Sequence, residues 1–376
     1  MSAARTTAAV IADGSDLGGT GPITEANAAA VISSWGKDFN SALPHEKIAR
    51  AEKRGSEFGA ILNDVQRAFA EKASAGGELK RGQHAKNLYG TTQASFDVSS
   101  NLPKELEGGA FKAGASYRAA LRFSNATGAT KSDEESDRRG LAIRITDDKG
   151  QTQDILLTTG APEFLAEDAE TAVGAAKAEV GGFWDKAKFI KEVGPVDFAK
   201  LIHAAKTTDD QGRSLAASTF HSRVPFQLGE HAVKFRLVPA ESVNPKSRGS
   251  GSDALTEDLT SRLAEGPVKY KLQVQGYKDP TSTPLNDARA EWDSPYVTIA
   301  ELEIPKEQLN PGQVEKNLKG MDGLSFSVWN RWDDKDDGAL KPLGDINAAR
   351  KRIYEESAKL RGSGQPESKK CPYGYG

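Results

Sequence analysis

Cysteine is almost missing from this chain: Cys371 is the single one in 376 residues. No disulfide framework can form within one chain and no cysteine-rich metal site is available, so a reducing, cytoplasmic setting is expected. Long apolar runs are missing too, and no stretch approaches membrane-spanning length, so no membrane insertion is expected. The opening MSAARTTAAVIADGSDLGGTG lacks the basic start and sustained apolar core of a signal peptide. Neither sign of charge dominates: 50 Lys and Arg stand against 53 Asp and Glu, a formal net charge of -3. The basic residues are dispersed among acidic ones, which argues against a nucleic-acid partner. None of the 5 histidines, His45, His84, His203, His221 and His231, pairs with another His or Cys at metal-ligand spacing, so a protein-only zinc site is not expected. Walker loops, Gly-x-Gly-x-x-Gly after a strand, His-Glu-x-x-His and Gly-x-Ser-x-Gly are all absent. The commonest enzyme classes thereby lose their signatures.

What is present is ordinary globular composition, 37% apolar and 27% charged. Residues 1–22 and 363–376 are rich in Gly, Ser and polar residues and are expected to be flexible ends around a single domain over 23–362. Between 45 and 72, Phe58, Ile61, Leu62, Val65 and Phe69 recur at the spacing of one helix face, and a breaker follows at 74–77. The period then changes. Segments 117–123, 141–146, 154–158, 233–238, 268–277 and 296–304 read as strands. In one of them Val268, Tyr270, Leu272 and Val274 alternate with Lys269, Lys271 and Gln273, which suits a sheet with one wet face. Helical patterns cover about 165–178, 183–206, 252–265 and 346–361. Strands in runs and helices in runs predict an α+β fold, an antiparallel sheet or barrel with helices outside it.

The last helix carries the most information. Arg350, Tyr354 and Arg361 stand at offsets that bring them within about 40° of one another at roughly 100° per residue. Ile346, Ile353 and Leu360 form an apolar stripe beside them that would turn that face inward. One reading makes Tyr354 a metal-bound tyrosinate: a phenol of ordinary pKa about 10 becomes an anionic ligand only beside a metal and a cation such as Arg350. The other makes it a tyrosine packed under a helix whose arginines snorkel to solvent. The spacing alone leaves both open.

Together with three further segments, Arg350-x-x-x-Tyr354 with Arg361 resembles the catalase family, whose haem iron is ligated by tyrosine. Arg81-Gly-Gln-His84-Ala is similar to the family's distal-histidine stretch, Arg122-Phe-Ser124 to its Arg-Phe-Ser strand, and Asp137-Arg-Arg-Gly140-Leu-Ala-Ile to the strand after it. The matches are collinear and span residues 81–361. The resemblance implies a catalase-like antiparallel β-barrel with surrounding helices, and a haem b buried between the barrel and the C-terminal helix. It implies Tyr354 as iron ligand assisted by Arg350, and Arg81, Arg122 and Arg361 neutralising the haem propionates. His84 would be the distal acid/base, moving a proton between the two peroxide oxygens at a pKa near neutrality, with Ser124 fixing its tautomer. Phe164 either covers the porphyrin or is ordinary core.

The chain also departs from the family. Where large catalases carry an asparagine over the iron, this sequence reads Asp154-Ile-Leu-Leu-Thr-Thr159-Gly160-Ala-Pro162, and Thr159 is the expected, weaker substitute. Gln83 stands beside the histidine where those enzymes have an aliphatic residue. The short length is similar to the minimal, catalase-related branch, which includes peroxidases and enzymes that rearrange fatty-acid hydroperoxides, such as coral allene oxide synthase. The expectation is a haem enzyme acting on a peroxide, organic hydroperoxides favoured over hydrogen peroxide. The alternatives are a hydroperoxide isomerase or lyase, and a haem-binding protein with little turnover. A homo-oligomer is expected from resemblance alone. Phe183, Trp184, Phe189, Phe198 and Ile202 either line a lipid channel or pack helices, and Phe326, Trp329 and Trp332 share that ambiguity.

Overall fold

The computed structural model describes residues 25–39, 45–72, 80–128, 130–164, 166–180, 182–196, 198–199, 212–332 and 340–363. The N-terminal segment 1–22, nearly all of the tail 363–376, the breaker at 74–77 and residues 200–206 lie outside these. Ten strands are formed among the described residues: β1 Asn87–Val98, β2 Ser116–Asn125, β3 Arg139–Thr146, β4 Thr152–Thr158, β5 Phe220–His221, β6 Phe226–Leu228, β7 His231–Pro239, β8 Val268–Gly276, β9 Tyr296–Ile304 and β10 Lys341–Pro342. Eight close into an antiparallel barrel in the order β7-β5-β4-β3-β2-β1-β9-β8, with β8 returning to β7; β6 and β10 extend from β7. Closure removes the free edges that an open sheet would expose.

The barrel interior is filled by side chains of alternate residues. Phe123 on β2 meets Phe220 on β5 at 5.8 Å between ring centres, although two strands separate them along the sheet, so the contact crosses the inside. Phe220 in turn meets Tyr270 of β8 at 6.4 Å. Since successive strand residues face opposite sides, the neighbours of Phe123, Arg122 and Ser124, face outward. The register carries that outward face across the sheet in two rows, Arg122–Ala142–Leu156 and Ser124–Gly140–Thr158–His221.

Helices cover this outer face. They are α1 Glu25–Ser33, α2 His45–Lys72, α3 Ala169–Val180, α4 Phe183–Val193, α5 Ala254–Glu265, α6 Pro311–Asp322 and α7 Gly344–Leu360. The periodicity over 45–72 corresponds to α2 and that over 346–361 to α7 within two residues. These two pack almost backbone to backbone: a Cβ on Gly55 would stand 2.2 Å from the Ala349 carbonyl oxygen, and one on Gly59 3.0 Å from Glu356 Cβ. None of the described helices is long and apolar enough to cross a membrane.

Strands β1, β5, β6 and β10 and helices α1 and α6 lie outside the segments that the sequence pattern predicts. Strand β1 reads NLYGTTQASFDV, with polar residues at its centre, register shifts at 87/89 and 91/94, and burial on both faces at Leu88–Thr91, so simple alternation fails. Helix α6 did carry a signal: Asn310 caps it, its Oδ1 accepting from Gln313 N at 2.9 Å while Gln313 Oε1 accepts from Asn310 N at 2.9 Å, with Pro311 at the first helical position.

Candidate active site

Between the outer face of the barrel and α2, α3 and α7 lies a cavity of about 280 Å³. Its barrel wall holds Arg122, Ser124, Gly140, Leu141, Ala142, Leu156, Leu157, Thr158 and His221; its helix wall holds Phe58, Leu62, Ile346, Ala349, Arg350, Ile353, Tyr354 and Arg361. Phe164 and Phe326 also line it, so a mostly apolar slot is bounded by polar groups at defined points.

His84 reaches the cavity from the segment before β1. Its backbone has φ 57°, the left-handed region that non-glycine residues seldom adopt. The strain is held by three bonds: His84 N donates to Ala126 O at 3.0 Å, Ala85 N to Thr127 O at 3.1 Å, and Arg122 Nη2 to the His84 carbonyl. The ring then lies with Nδ1 3.1 Å from Ser124 Oγ. Gly140 makes room for it, since a Cβ there would stand 2.5 Å from His84 Nδ1 and 2.9 Å from Ser124 Oγ. Burial first, then Arg122, Arg350 and Arg81, pushes His84 down to about 3. This corrects the expectation of a near-neutral value: three cations around a buried ring disfavour a fourth.

Tyr354 faces the cavity from α7. Arg350 Nε donates to its Oη at 2.7 Å, and Arg350 Nη1 donates to Asn347 Oδ1 at 3.1 Å. The fully buried Asn347 is anchored in turn, its Nδ2 donating to Leu343 O at 2.9 Å and Pro225 O at 3.1 Å. The i, i+3 and i, i+4 spacing of a helix thus builds an Asn347–Arg350–Tyr354 relay. Sequence reasoning passed over Asn347 because nothing marks it apart from its place one turn before Arg350.

Arg81, Arg122 and Arg361 converge on one end of the cavity. Arg81 Nη1 pairs with Asp322 Oδ1 at 3.0 Å, its Nη2 donates to Met321 O and Leu324 O, and Arg361 Nη1 donates to Asp322 O at 3.1 Å. The C-terminus of α6, unanticipated, is therefore what gathers two of them, as expected for cations at a helix's carbonyl end. Burial lowers all three guanidinium groups, and repulsion by Arg81 lowers Arg122 and Arg361 further, Arg361 to about 10. Arg122 Nε and Arg361 Nε are buried without a hydrogen-bond partner. Among the described residues Asp322 is the one carboxylate bearing on Arg122, which leaves the cluster with an excess of positive charge.

The chain is similar to known proteins in sequence and in fold. The chain is 27% identical over 262 residues to the "Catalase-related peroxidase" of Mycolicibacterium paratuberculosis (strain ATCC BAA-968 / K-10), covering 66% of this chain and 79% of that protein. It is 26% identical over 294 residues to the "Allene oxide synthase-lipoxygenase protein" of Plexaura homomalla, covering 69% of this chain and 26% of that one. Among solved structures it superposes on a fungal catalase with TM-score 0.58 at 16% identity, and on catalase A from Saccharomyces cerevisiae with TM-score 0.56 at 14% identity. The chain shares the catalase fold and is similar in sequence to catalase-related proteins. No family model matches it. It covers 81% of its own length in both superpositions but only 62% and 64% of those catalases.

In this catalase-like chain the collinear motifs come together in space with distinct tasks. Arg139, of the Asp-x-Arg-Gly segment, is fully buried away from the cavity and clamps Asn125 Oδ1 and the carbonyls of Asp133 and Glu135. Thr159 is also placed outside the cavity lining: its Oγ1 accepts from Arg139 N at 2.8 Å. Its neighbour Thr158 points the other way and lines the cavity in the row of Ser124 and Gly140. A one-residue shift exchanges strand faces, which is why the pair Thr158-Thr159 could not be resolved in the sequence.

The aromatic residues divide as well. Phe183 and Trp184 are 75% and 81% exposed and line no channel, whereas Phe189 is buried against Phe198 at 6.1 Å. Trp332 packs on Tyr117, and Trp329 Nε1 donates to Asn347 O at 2.8 Å. Ile202 lies outside the described residues.

Proposed function

We propose that this chain is a haem b-dependent peroxidase of catalase type, acting on organic hydroperoxides in preference to hydrogen peroxide. One observation carries the reading. The Arg350–Tyr354 pair on the helix wall and the His84–Ser124 pair on the barrel wall share a single apolar cavity, whose end holds two buried guanidinium nitrogens without partners. Those nitrogens fit the two carboxylates of a haem, and Ala142, Val173 and Ile353 fit the faces of its ring. Tyr354 is the residue that would ligate the iron, and Arg350 Nε, already on its oxygen, would favour the anionic ligand. Bound there, haem supplies the redox centre at which the peroxide O–O bond is cleaved.

The chain's own groups manage the proton. With His84 held near 3, its imidazole is neutral throughout the physiological range and free to accept the peroxide proton. If Nδ1–H donates to Ser124 Oγ, Nε2 presents its lone pair to the substrate, and the imidazolium formed is acidic enough to return the proton to the leaving oxygen. Thr158, whose hydroxyl meets no protein partner among the described residues, is the second polar group beside it. Leu156, Phe164 and Val173 give the cavity apolar walls that suit an alkyl substituent on the peroxide.

The coral relative favours a second reading, rearrangement of a fatty-acid hydroperoxide at the same site. Products separate the two: reduction yields the alcohol and consumes an electron donor, and rearrangement consumes none. The test is the absorption spectrum of the purified protein followed by addition of hydrogen peroxide and then of an organic hydroperoxide. A high-spin ferric spectrum with tyrosinate character and consumption of the organic hydroperoxide is the expected result. A protein that takes up no haem, or takes it up and consumes neither peroxide, overturns the proposal.

A further inference from the structure

The large apolar side chains that stay exposed among the described residues all belong to one short stretch. Phe183 is 75% exposed, Trp184 81% and Val196 66%, so they stand at the start of α4 and just past its end. The Phe183 and Trp184 rings touch edge to face at 5.4 Å, and neither lines the cavity. Leaving water would stabilise both, so their exposure calls for a partner. Helix geometry sorts the rest of α4. At roughly 100° per residue Phe189, Ile190 and Val193 fall on one side. There Phe189 packs on α3, where a Cβ on Gly174 would stand 2.9 Å from its ring. Trp184, Lys188 and Lys191, spaced four and seven residues apart, share the opposite side. Both lysines are exposed, and neither forms an ion pair among the described residues. The acidic residues of the helix turn elsewhere. Asp185 Oδ2 accepts from Gly182 N at 3.2 Å at the helix start, and Glu192 reaches back toward Gly174 of α3.

An aromatic pair beside unpaired lysines on the outer side of a short helix is the chemistry of a membrane interface. Aromatic rings settle at headgroup level there, and lysines meet anionic phosphates. A second protein is a poorer fit. Two rings of about 150–250 Å² each fall well short of the roughly 800 Å² per partner that stable complexes bury. We propose that α4 docks the molecule on an anionic lipid bilayer, Phe183 and Trp184 entering the headgroup layer while Lys188 and Lys191 pair with lipid phosphates. At 11 residues α4 is about 16 Å long, so it lies against the bilayer and does not cross it. One apolar and one basic signal, each weak alone, together give reversible attachment. Docking also orients the cavity. Helix α3, which α4 covers, supplies Ala169, Ala172 and Val173 to its wall, so the docked side is the one behind those residues. The proposal goes beyond the peroxidase reading and stands without it.

The experiment is co-sedimentation of the purified protein with vesicles of phosphatidylcholine alone and of phosphatidylcholine mixed with phosphatidylglycerol, at low and high salt. The expected result is binding to the phosphatidylglycerol vesicles that weakens with salt. Lys188→Gln with Lys191→Gln should weaken it roughly 30-fold, the factor that about 1 kcal/mol for each lysine gives. Phe183→Ser with Trp184→Ser should remove it. Both pairs stand at the surface, so these variants are expected to keep the fold, which circular dichroism checks. Brominated lipid gives a readout with milder change: it should quench tryptophan emission of the unaltered protein, and Trp184→Phe should remove that quenching. Absence of binding to phosphatidylglycerol vesicles, or binding that survives the double serine variant, overturns the proposal. So does a fall in molar mass by light scattering in that variant, which would make the aromatic pair a contact between copies of this chain.

Discussion

At Gly140 a single added carbon would press on both partners of the distal pair, at 2.5 Å from His84 Nδ1 and 2.9 Å from Ser124 Oγ. Gly140→Ala is expected to displace the ring and to lower hydroperoxide turnover by roughly 10²- to 10³-fold, the range of a mispositioned general base. Haem uptake should be retained, and a stopped-flow assay with the absorption spectrum as control checks both. The proton balance at His84 makes a second prediction. A group held near 3 is neutral from there upward, so kcat/KM should show no limb from this histidine between about pH 5 and pH 9. An acid limb near 6.5 in the pH–rate profile would mean that the three arginines do not act on the ring as the structure places them. On the other wall, Tyr354→Phe keeps the aromatic packing but removes the oxygen that Arg350 holds. It should abolish the tyrosinate features of the spectrum and leave the fold intact by circular dichroism.

Among the elements, the α2–α7 pair decides the width of the cavity, because both helices line it and they touch through Gly55 and Gly59. A methyl group on Gly55 has the backbone of Ala349 in its way rather than a flexible side chain. Gly55→Ala is therefore expected to cost about 1–3 kcal/mol, the usual range for forced overpacking, read as a fall in the urea midpoint. Since Arg350 lies one residue beyond Ala349, the same variant should bind haem more weakly, which a haem-transfer assay measures. Helix α6 has a comparable role at the other end, where its last carbonyls and Asp322 orient Arg81 and Arg361. Its influence on the site is exerted entirely through backbone and one carboxylate.

For the molecule as a whole, acid is the condition that the buried site resists least. His84 and His221 are both pushed down to about 3, chiefly by burial, and His231 is lowered as well. Unfolding would release each to an ordinary value near 6.5. Between about pH 6.5 and pH 3 the unfolded chain then binds more protons than the folded one, so stability falls as pH falls through that window. The haem-free protein should accordingly lose denaturation free energy steadily from pH 7 to pH 4 in urea titrations. Replacing His221 by Gln should flatten that slope. An unchanged slope would mean that the imidazole at this place is not shielded.

Elements with a strong period and residues in a distinctive order are legible in the amino-acid sequence alone. Helices α2 and α7 and strands β2, β3, β4, β7, β8 and β9 follow from local pattern, because a half-buried face imposes its own spacing. Arg350, Tyr354, His84 and Ser124 were legible from four collinear motifs, and the structure brings them to one cavity. Short strands β5 and β6 were not legible, since two or three residues carry no period and exist only where β7 offers them a partner. Strand β1, buried on both faces and bulged, reads as polar until its neighbours are in place. The choice of Thr158 over Thr159, the recruitment of Asp322 to the arginines, and the row that joins Thr158 to His221 belong to the tertiary structure alone. Each depends on which face a strand presents or which distant segment closes on it, and burial and register set those only after the barrel has closed.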